Sequence, residues 1–152
     1  MMKSTLLKFN KPMTREEAQS AWEIIVNKGF SDYKDLTRNE RVWFNLEPLT
    51  TGGISDHYIN YGAEYNSDTI KDLEYLNCHE IANLLKRINK HFIWRKPSRN
   101  IDKRNRQILR IEEKHPDLLN MVDSLYWELN HQLEKALLEH INKTGIGQSY
   151  TK

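Results

Sequence analysis

The sequence has few of the residues that stabilise small secreted proteins or carry a chain through a membrane. It contains one cysteine, Cys78, so it forms no internal disulfide and no zinc site built from several cysteines. The longest run of strongly apolar residues, 24–26, is far shorter than the ~20 residues of a membrane-spanning helix. The start of the chain has too short an apolar stretch for a secretory signal. We therefore expect a cytoplasmic protein with no membrane contact.

Glycine and proline are also scarce, with six and four residues, and the sequence has no low-complexity tract and no repeat of solenoid length. Apolar residues make up 38% of the 152 positions and charged residues 29%, as in a globular protein. This length is typical of one domain. We expect a single helical domain over residues 1–147 and a flexible tail at 148–152.

Apolar residues recur at helical spacing along almost the whole chain, and this pattern predicts an all-α fold. Two capping boxes of the form Thr-x-x-Glu, at residues 14–17 and 37–40, mark helix starts. Glycine, proline and asparagine positions then predict where helices end, which gives a bundle of about seven helices with a long C-terminal one. The expected segments are 14–29, 37–47, 54–61, 66–77, 78–92, 98–113 and 117–142.

The last of these helices carries two apolar residues on its polar side. Most of its apolar residues share one arc, but Trp127 and Leu138 fall on the opposite face among charged residues. Either another segment of the same chain covers them or a second copy of the chain does. A homodimer with contacts at Trp127 and Leu138 is therefore a prediction, and both explanations stay open.

The net charge of +2 conceals a strong asymmetry along the chain. Residues 86–110 hold ten lysines and arginines against one acidic residue, whereas residues 40–85 hold two against eight. Residues spaced by four, three and four in the basic segment share one side of a helix, opposite its isoleucines. The basic residues that we single out for binding an anion or a partner are Arg95, Lys96, Arg99, Lys103, Arg106 and Arg110.

Three interpretations of this basic segment stay open. It is a solvated face, or it pairs with the acidic segment 40–85, or it binds an acidic ligand. A protein partner is our first expectation for such a ligand. Nucleic acid is the alternative and predicts salt-dependent affinity, although the segment has no helix-turn-helix, zinc-finger or aromatic-stacking pattern.

The sequence contains no motif for a cofactor, a metal or a catalytic group. Gly52-Gly53 precedes a predicted helix, but the surrounding residues match neither a Walker motif nor a dinucleotide fingerprint. The six histidines include no pair at i,i+3 or i,i+4, so we expect no metal site. An enzyme with a pocket lined by His57, Tyr58 and Asn60 is a weaker alternative. We expect a non-enzymatic protein without a cofactor.

The segment 52–65 and the two amphipathic helices after it form a recognisable pattern. In this segment a glycine pair opens a short helix that contains an aromatic residue and an asparagine and ends at a glycine. The pattern resembles the DNA-mimic-protein-like domain, a bacterial family of small all-helical proteins, mostly of unassigned function. The resemblance covers about residues 40–90, and the matching motif positions are Gly52, Gly53, Tyr58, Asn60 and Gly62.

This resemblance implies a role as well as a fold. The family's best-known type is an acidic dimer that imitates DNA and occupies a DNA-binding protein. By resemblance, this chain would act by protein–protein binding as a regulator of a DNA-binding protein, with 40–85 as the acidic surface. The motif also has a purely structural explanation, in which the glycines permit turns, Tyr58 packs, and Asn60 hydrogen-bonds backbone at the helix end.

Overall fold

A computed structural model describes residues 11–148, and the regular structure in that range is entirely helical. The six α-helices of this range are α1 Gln19–Ser31, α2 Arg38–Ile59, α3 Asn66–Tyr75, α4 His79–Asn89, α5 Ile101–Lys114 and α6 Leu118–Thr144. Short 3-10 turns lie at Tyr33–Asp35, Gly62–Tyr65 and Ile93–Arg95. The all-α fold and the long C-terminal helix are confirmed. Apart from Gln148, the predicted tail lies outside the described residues.

The predicted number of helices needs correction, because two of the expected helices are parts of α2. We expected Pro48 to end the helix that starts after Thr37, but α2 continues to Ile59. A proline inside a helix cannot donate to the carbonyl four residues earlier, yet the chain tolerates this loss here. The break lies instead at Gly53, where φ is 75° and ψ is −169°.

Both capping boxes form as the sequence predicts. The Thr37 hydroxyl accepts a hydrogen bond from the Glu40 backbone N–H at 3.2 Å, and the Glu40 carboxylate accepts one from the Thr37 N–H at 2.9 Å. Thr14 and Glu17 exchange the same pair of bonds at 3.2 and 3.3 Å. A turn follows this first box, so α1 begins later than expected, at Gln19.

The chain divides into two compact units, of which the first contains the residues up to Phe44 and those from Lys135 onward. An aromatic cluster forms part of its core. The rings of Trp22 and Trp43 lie 5.7 Å apart, and Phe44 contacts two further rings at 5.6 and 5.8 Å. The expectation of a single domain over 1–147 stays a prediction.

The second unit, Asn45–Glu134, contains the motif residues and the basic segment. Helices α3 and α4 pack against each other there, and Cys78 lies buried at the bend between them, as expected. Most of the core of this unit is aliphatic, with fully buried side chains at Leu46, Leu49, Ile54, Leu73, Ile81, Leu85, Ile88 and Val122, and it includes the aromatic residues Tyr58, Phe92 and Tyr126. Among the described helices, none has the length and hydropathy that crossing a membrane requires.

Candidate functional site

A chain of buried polar side chains links α2, α3 and α4. The Tyr58 hydroxyl donates to Asn89 Oδ1 at 2.6 Å, and the Asn89 amide donates to Asn66 Oδ1 at 2.7 Å. The Asn66 amide nitrogen lies 3.0 Å from His57 Nε2. All four side chains are buried. With the amides in these orientations Nε2 is the acceptor, so His57 carries its proton on Nδ1 and is neutral.

Burial keeps both ring groups of this network uncharged. Burial, together with the smaller effect of the positive charge of Arg104, lowers the pKa of His57 to about 3. Burial also raises the pKa of the Tyr58 phenol well above its ordinary value. Both groups are therefore neutral at physiological pH, and each is already engaged by a neighbour in the network.

A fully buried arginine on α5 bonds the C-terminal end of α2. Arg104 Nε donates to the Tyr58 carbonyl at 2.8 Å, and its terminal nitrogens donate to the carbonyls of Ser98, at 2.7 Å, and Asn60. Carbonyls at a helix C-terminus lack intrahelical partners and carry partial negative charge, which a cation stabilises. Burial lowers the pKa of Arg104, whereas the nearby carboxylate of Glu64 raises it.

The sequence analysis missed Arg104 because it counted this residue only as part of the basic segment. A signal was nevertheless present. Arg104 follows Ile101 by three positions and precedes Ile108 by four, which places it on the apolar face of α5. A basic residue at core spacing, surrounded by basic residues at surface spacing, is the pattern that identifies it.

The break at Gly53 places the start of the short helical segment 54–59 against α6. Asp123 Oδ1 accepts hydrogen bonds from the backbone N–H groups of Ile54 at 2.8 Å and Ser55 at 3.1 Å, and so caps this segment. The Trp127 indole N–H donates to Asp123 Oδ2 at 3.1 Å. A Cβ at Gly53 would lie 2.7 Å from Asp123 Oδ1 and 2.9 Å from the Trp127 ring.

The remaining motif residues occupy the turn after α2. A Cβ at Gly62 would lie 2.7 Å from His57 Nδ1, so a glycine leaves room for that ring. Gly52 is half-buried, and a Cβ there would lie within 3 Å of the Asp56 side chain. The suggestion that Asn60 bonds backbone at the helix end is wrong, because its side chain donates to the Asp56 carboxylate. The buried arginine bonds that backbone instead.

The basic residues singled out from the sequence all have exposed side chains. Arg95 is the last residue of the 3-10 turn before α5, and Lys96 follows it directly. Arg99 lies with its guanidinium carbon 5.4 Å from the centre of the Tyr65 ring, in a cation–π contact. The other three, Lys103, Arg106 and Arg110, lie on the solvent side of α5.

Large apolar side chains stand in solvent among these charges. Ile93 is 68% exposed, Trp94 88% and Leu109 61%. Trp94 and Arg95 have φ values of 59° and 57°, in the left-handed region that residues other than glycine seldom occupy. Ile93 and Arg110 line the same pocket, so the turn lies beside α5. We call Ile93, Trp94 and the six basic residues the Trp94 surface.

Comparison with known families identifies the chain. The sequence model of the DMP19-like protein family matches residues 34–144. The chain belongs to this family. The match confirms the resemblance carried by 40–90 and extends it over the part of the DMP19-like chain that contains Arg104, Asp123 and the Trp94 surface. Searches of the curated proteins and of the solved structures find no match.

The pocket beside α5 in this DMP19-like protein is not lined by the residues of the enzyme alternative. It has a volume of about 440 Å³ and lies next to Phe92, Ile111 and several basic residues, whereas His57 and Tyr58 are buried in their own network. Among residues 11–148, no three histidine, cysteine, aspartate or glutamate side chains form a group that could hold a metal ion.

The two residues predicted as dimer contacts have different surroundings. Trp127 is 43% exposed and bonds Asp123 within its own chain, so part of the ring is covered without a second copy. Leu138 is half-buried in the first unit. The homodimer stays a prediction.

Mild acid should destabilise the protein, because His57 has to remain neutral in the folded state. Its pKa is about 3 when folded and ordinarily 6.5, so between these values the unfolded chain binds the proton and the folded chain does not. Stability should be complete above the higher value and fall below it by up to ~1.4 kcal/mol per pH unit. Urea unfolding across this range measures the slope. In a His57→Gln variant the free energy of unfolding should depend less steeply on pH between pH 6.5 and about pH 5. Equal slopes in the variant and the wild type would contradict the low pKa of His57 in the folded state.

Proposed function

We propose that this DMP19-like protein is a non-enzymatic binding protein that docks an acidic protein partner on the Trp94 surface. The observation that carries the proposal is the position of Trp94, whose ring is 88% exposed on a left-handed turn in the most basic part of the chain. Covering such a ring contributes roughly 2–3 kcal/mol. A left-handed turn at a large residue costs roughly 1 kcal/mol or more, and such strain concentrates at functional sites.

The residue types of the surface favour a protein over a nucleic acid. Tryptophan and arginine are the residues most enriched at the energetic centres of protein interfaces. Ile93 adds exposed aliphatic area, which a phosphate backbone would not cover. The cations around them favour carboxylates on the partner, since complementary charges steer the encounter and fix its orientation.

The acidic segment 40–85 is a weaker candidate for the contact with a partner. The role implied by resemblance, imitation of DNA toward a DNA-binding protein, needs an exposed row of negative charges. Glu40 and Asp72 are buried, and Glu74 pairs with Lys86 at 3.5 Å. With Asp56, which accepts a hydrogen bond from Asn60, at least four of the eight carboxylates in this segment are engaged within the chain, so we assign the partner to the basic surface.

Capture from a nuclease-treated cell extract, with variants on and off the surface, tests this function. We expect the wild type to retain a protein that Trp94→Ala binds about 30-fold more weakly, because truncating a central tryptophan costs ~2 kcal/mol or more. A Lys103→Glu/Arg106→Glu variant should lose it as well. Tyr61→Ala removes a ring that is 64% exposed elsewhere in the second unit and should bind like the wild type.

Titration with mixed-sequence duplex DNA and with single-stranded RNA over a salt series checks the alternative. An exposed aromatic ring among cations is also the arrangement that stacks on unpaired bases. If RNA or DNA binds with a steep salt dependence, and the charge reversal at Arg99, Lys103, Arg106 and Arg110 abolishes it, nucleic acid is the ligand. The proposal would be overturned by that result if, in addition, every protein that the wild type captures from the nuclease-treated extract were also captured by Trp94→Ala.

A further inference from the structure

The pocket beside α5 combines a basic rim with an apolar floor. His91 comes from the end of α4, and Arg110, Lys114 and His115 come from the end of α5. Phe92 and Ile111, which are 4% and 8% exposed, form the floor. We propose that this pocket binds a small organic phosphate monoester, with its phosphate on the four basic side chains and its organic group on the floor.

The charges around the pocket leave it positive. The imidazoles of His91 and His115 lie 4.5 Å apart, measured between ring centres. Burial lowers the pKa of His91, and the positive charges of His115, Arg87 and Lys90 lower it further, with no carboxylate among the groups that act on it. Within residues 11–148, neither Arg110 nor Lys114 forms an ion pair. An anion would relieve this mutual repulsion.

Charge and volume together favour a phosphate monoester over a carboxylate. Arg110 and Lys114 lie one helical turn apart and carry two positive charges. A phosphate dianion neutralises both charges, whereas a carboxylate neutralises one. The imidazoles donate N–H groups whether or not they are protonated. The volume, about 440 Å³, lies within the range of small-molecule sites. An inorganic ion would leave the apolar floor uncovered.

The pocket shares Ile93 and Arg110 with the Trp94 surface, but its ligand and its test differ from those of the protein partner. Trp94 does not line the pocket, and a small ligand can be titrated into the isolated protein. A Trp94→Ala variant should therefore bind the phosphate ester like the wild type, even where it no longer binds a protein partner. The two proposals can fail independently of each other.

Titration with phenyl phosphate, followed through the imidazole NMR signals of His91 and His115, tests the site. At an ionic strength matched with sodium chloride, we expect a saturable shift of both signals and a rise in the pKa of His91 by roughly half a unit. Phenyl phosphate should bind at least about threefold more tightly than inorganic phosphate, because its ring covers the floor. Equal affinities would overturn the organic part of the assignment, and the absence of a saturable shift would overturn the site.

Two double variants with the same change in net charge distinguish binding in the pocket from a general attraction between the ligand and a positively charged protein. Arg110→Gln/Lys114→Gln removes the two permanent charges of the rim and should weaken phenyl phosphate binding about tenfold or more. Lys103→Gln/Arg106→Gln removes two charges from the same helix outside the pocket and should weaken binding much less, because neither side chain lines the pocket. Equal losses in both variants would show that only net charge matters and would reject the pocket.

Discussion

Replacement of Arg104 by methionine should lower the free energy of unfolding by about 3–5 kcal/mol. Methionine keeps most of the side-chain volume, so the loss comes from the carbonyls of Tyr58, Asn60 and Ser98, which would lose a charged donor; the bond to Tyr58 is buried and the other two are partly buried. Each such group costs ~1–3 kcal/mol when it is left unpaired. Urea unfolding of the variant and the wild type measures the difference.

Arg106→Met is the matched control for this experiment, because Arg106 lies on the exposed side of the same helix. It should change stability by less than ~0.5 kcal/mol. Arg104→Lys keeps a charge but loses the fork of donors, so its effect should be intermediate. A loss below ~1 kcal/mol in Arg104→Met would show that water replaces the guanidinium and that these bonds add little.

Gly53→Ala should destabilise the protein by about 3 kcal/mol. The backbone there has φ 75° and ψ −169°, a region that is essentially restricted to glycine. The added Cβ would also lie 2.7 Å from Asp123 Oδ1 and displace a cap worth ~1 kcal/mol. Thermal or urea unfolding measures the loss.

Gly52→Ala is the control for backbone strain, since Gly52 is not among the residues with positive φ, although its added Cβ would require the Asp56 side chain to shift. It should cost less than Gly53→Ala by about 1 kcal/mol or more. Because both changes remove the same cap, Gly53→Ala and Asp123→Ala combined should cost less than the sum of the single losses. Strict additivity would mean that the Cβ does not displace Asp123.

Features that depend on neighbouring residues could be predicted from this sequence, and those that depend on distant contacts could not. The capping boxes at Thr37 and Thr14 act within four residues, so their patterns were sufficient. Pro48 was misjudged because the cost of a proline inside a helix, ~3 kcal/mol, is offset here by the burial of its neighbours Leu46 and Leu49. The break at Gly53 depends on Asp123 and Trp127, which are remote in sequence.

In the candidate site, too, local features could be predicted from the sequence and long-range contacts could not. Tyr58 was recognised as a packed residue of the motif, but its connection through Asn89 and Asn66 to His57 joins three helices and has no local pattern. Arg104 had a local signal in its spacing from the isoleucines of α5. The exposure of the Trp94 ring depends on two successive residues in the left-handed conformation, which the residue types do not predict.

The short segment 54–59 of α2 also has a consequence for the order of folding. It depends on Asp123 at its start and on Arg104 at its end, and the bond to Asp123 joins residues 69 positions apart. A helix of this length is unstable in isolation, since nucleation costs more than so few hydrogen bonds return. Loops of this size must close before either contact forms, which makes the segment a late element of folding. We therefore expect residues 54–59 to become ordered only after α5 and α6 have assembled on the rest of the second unit.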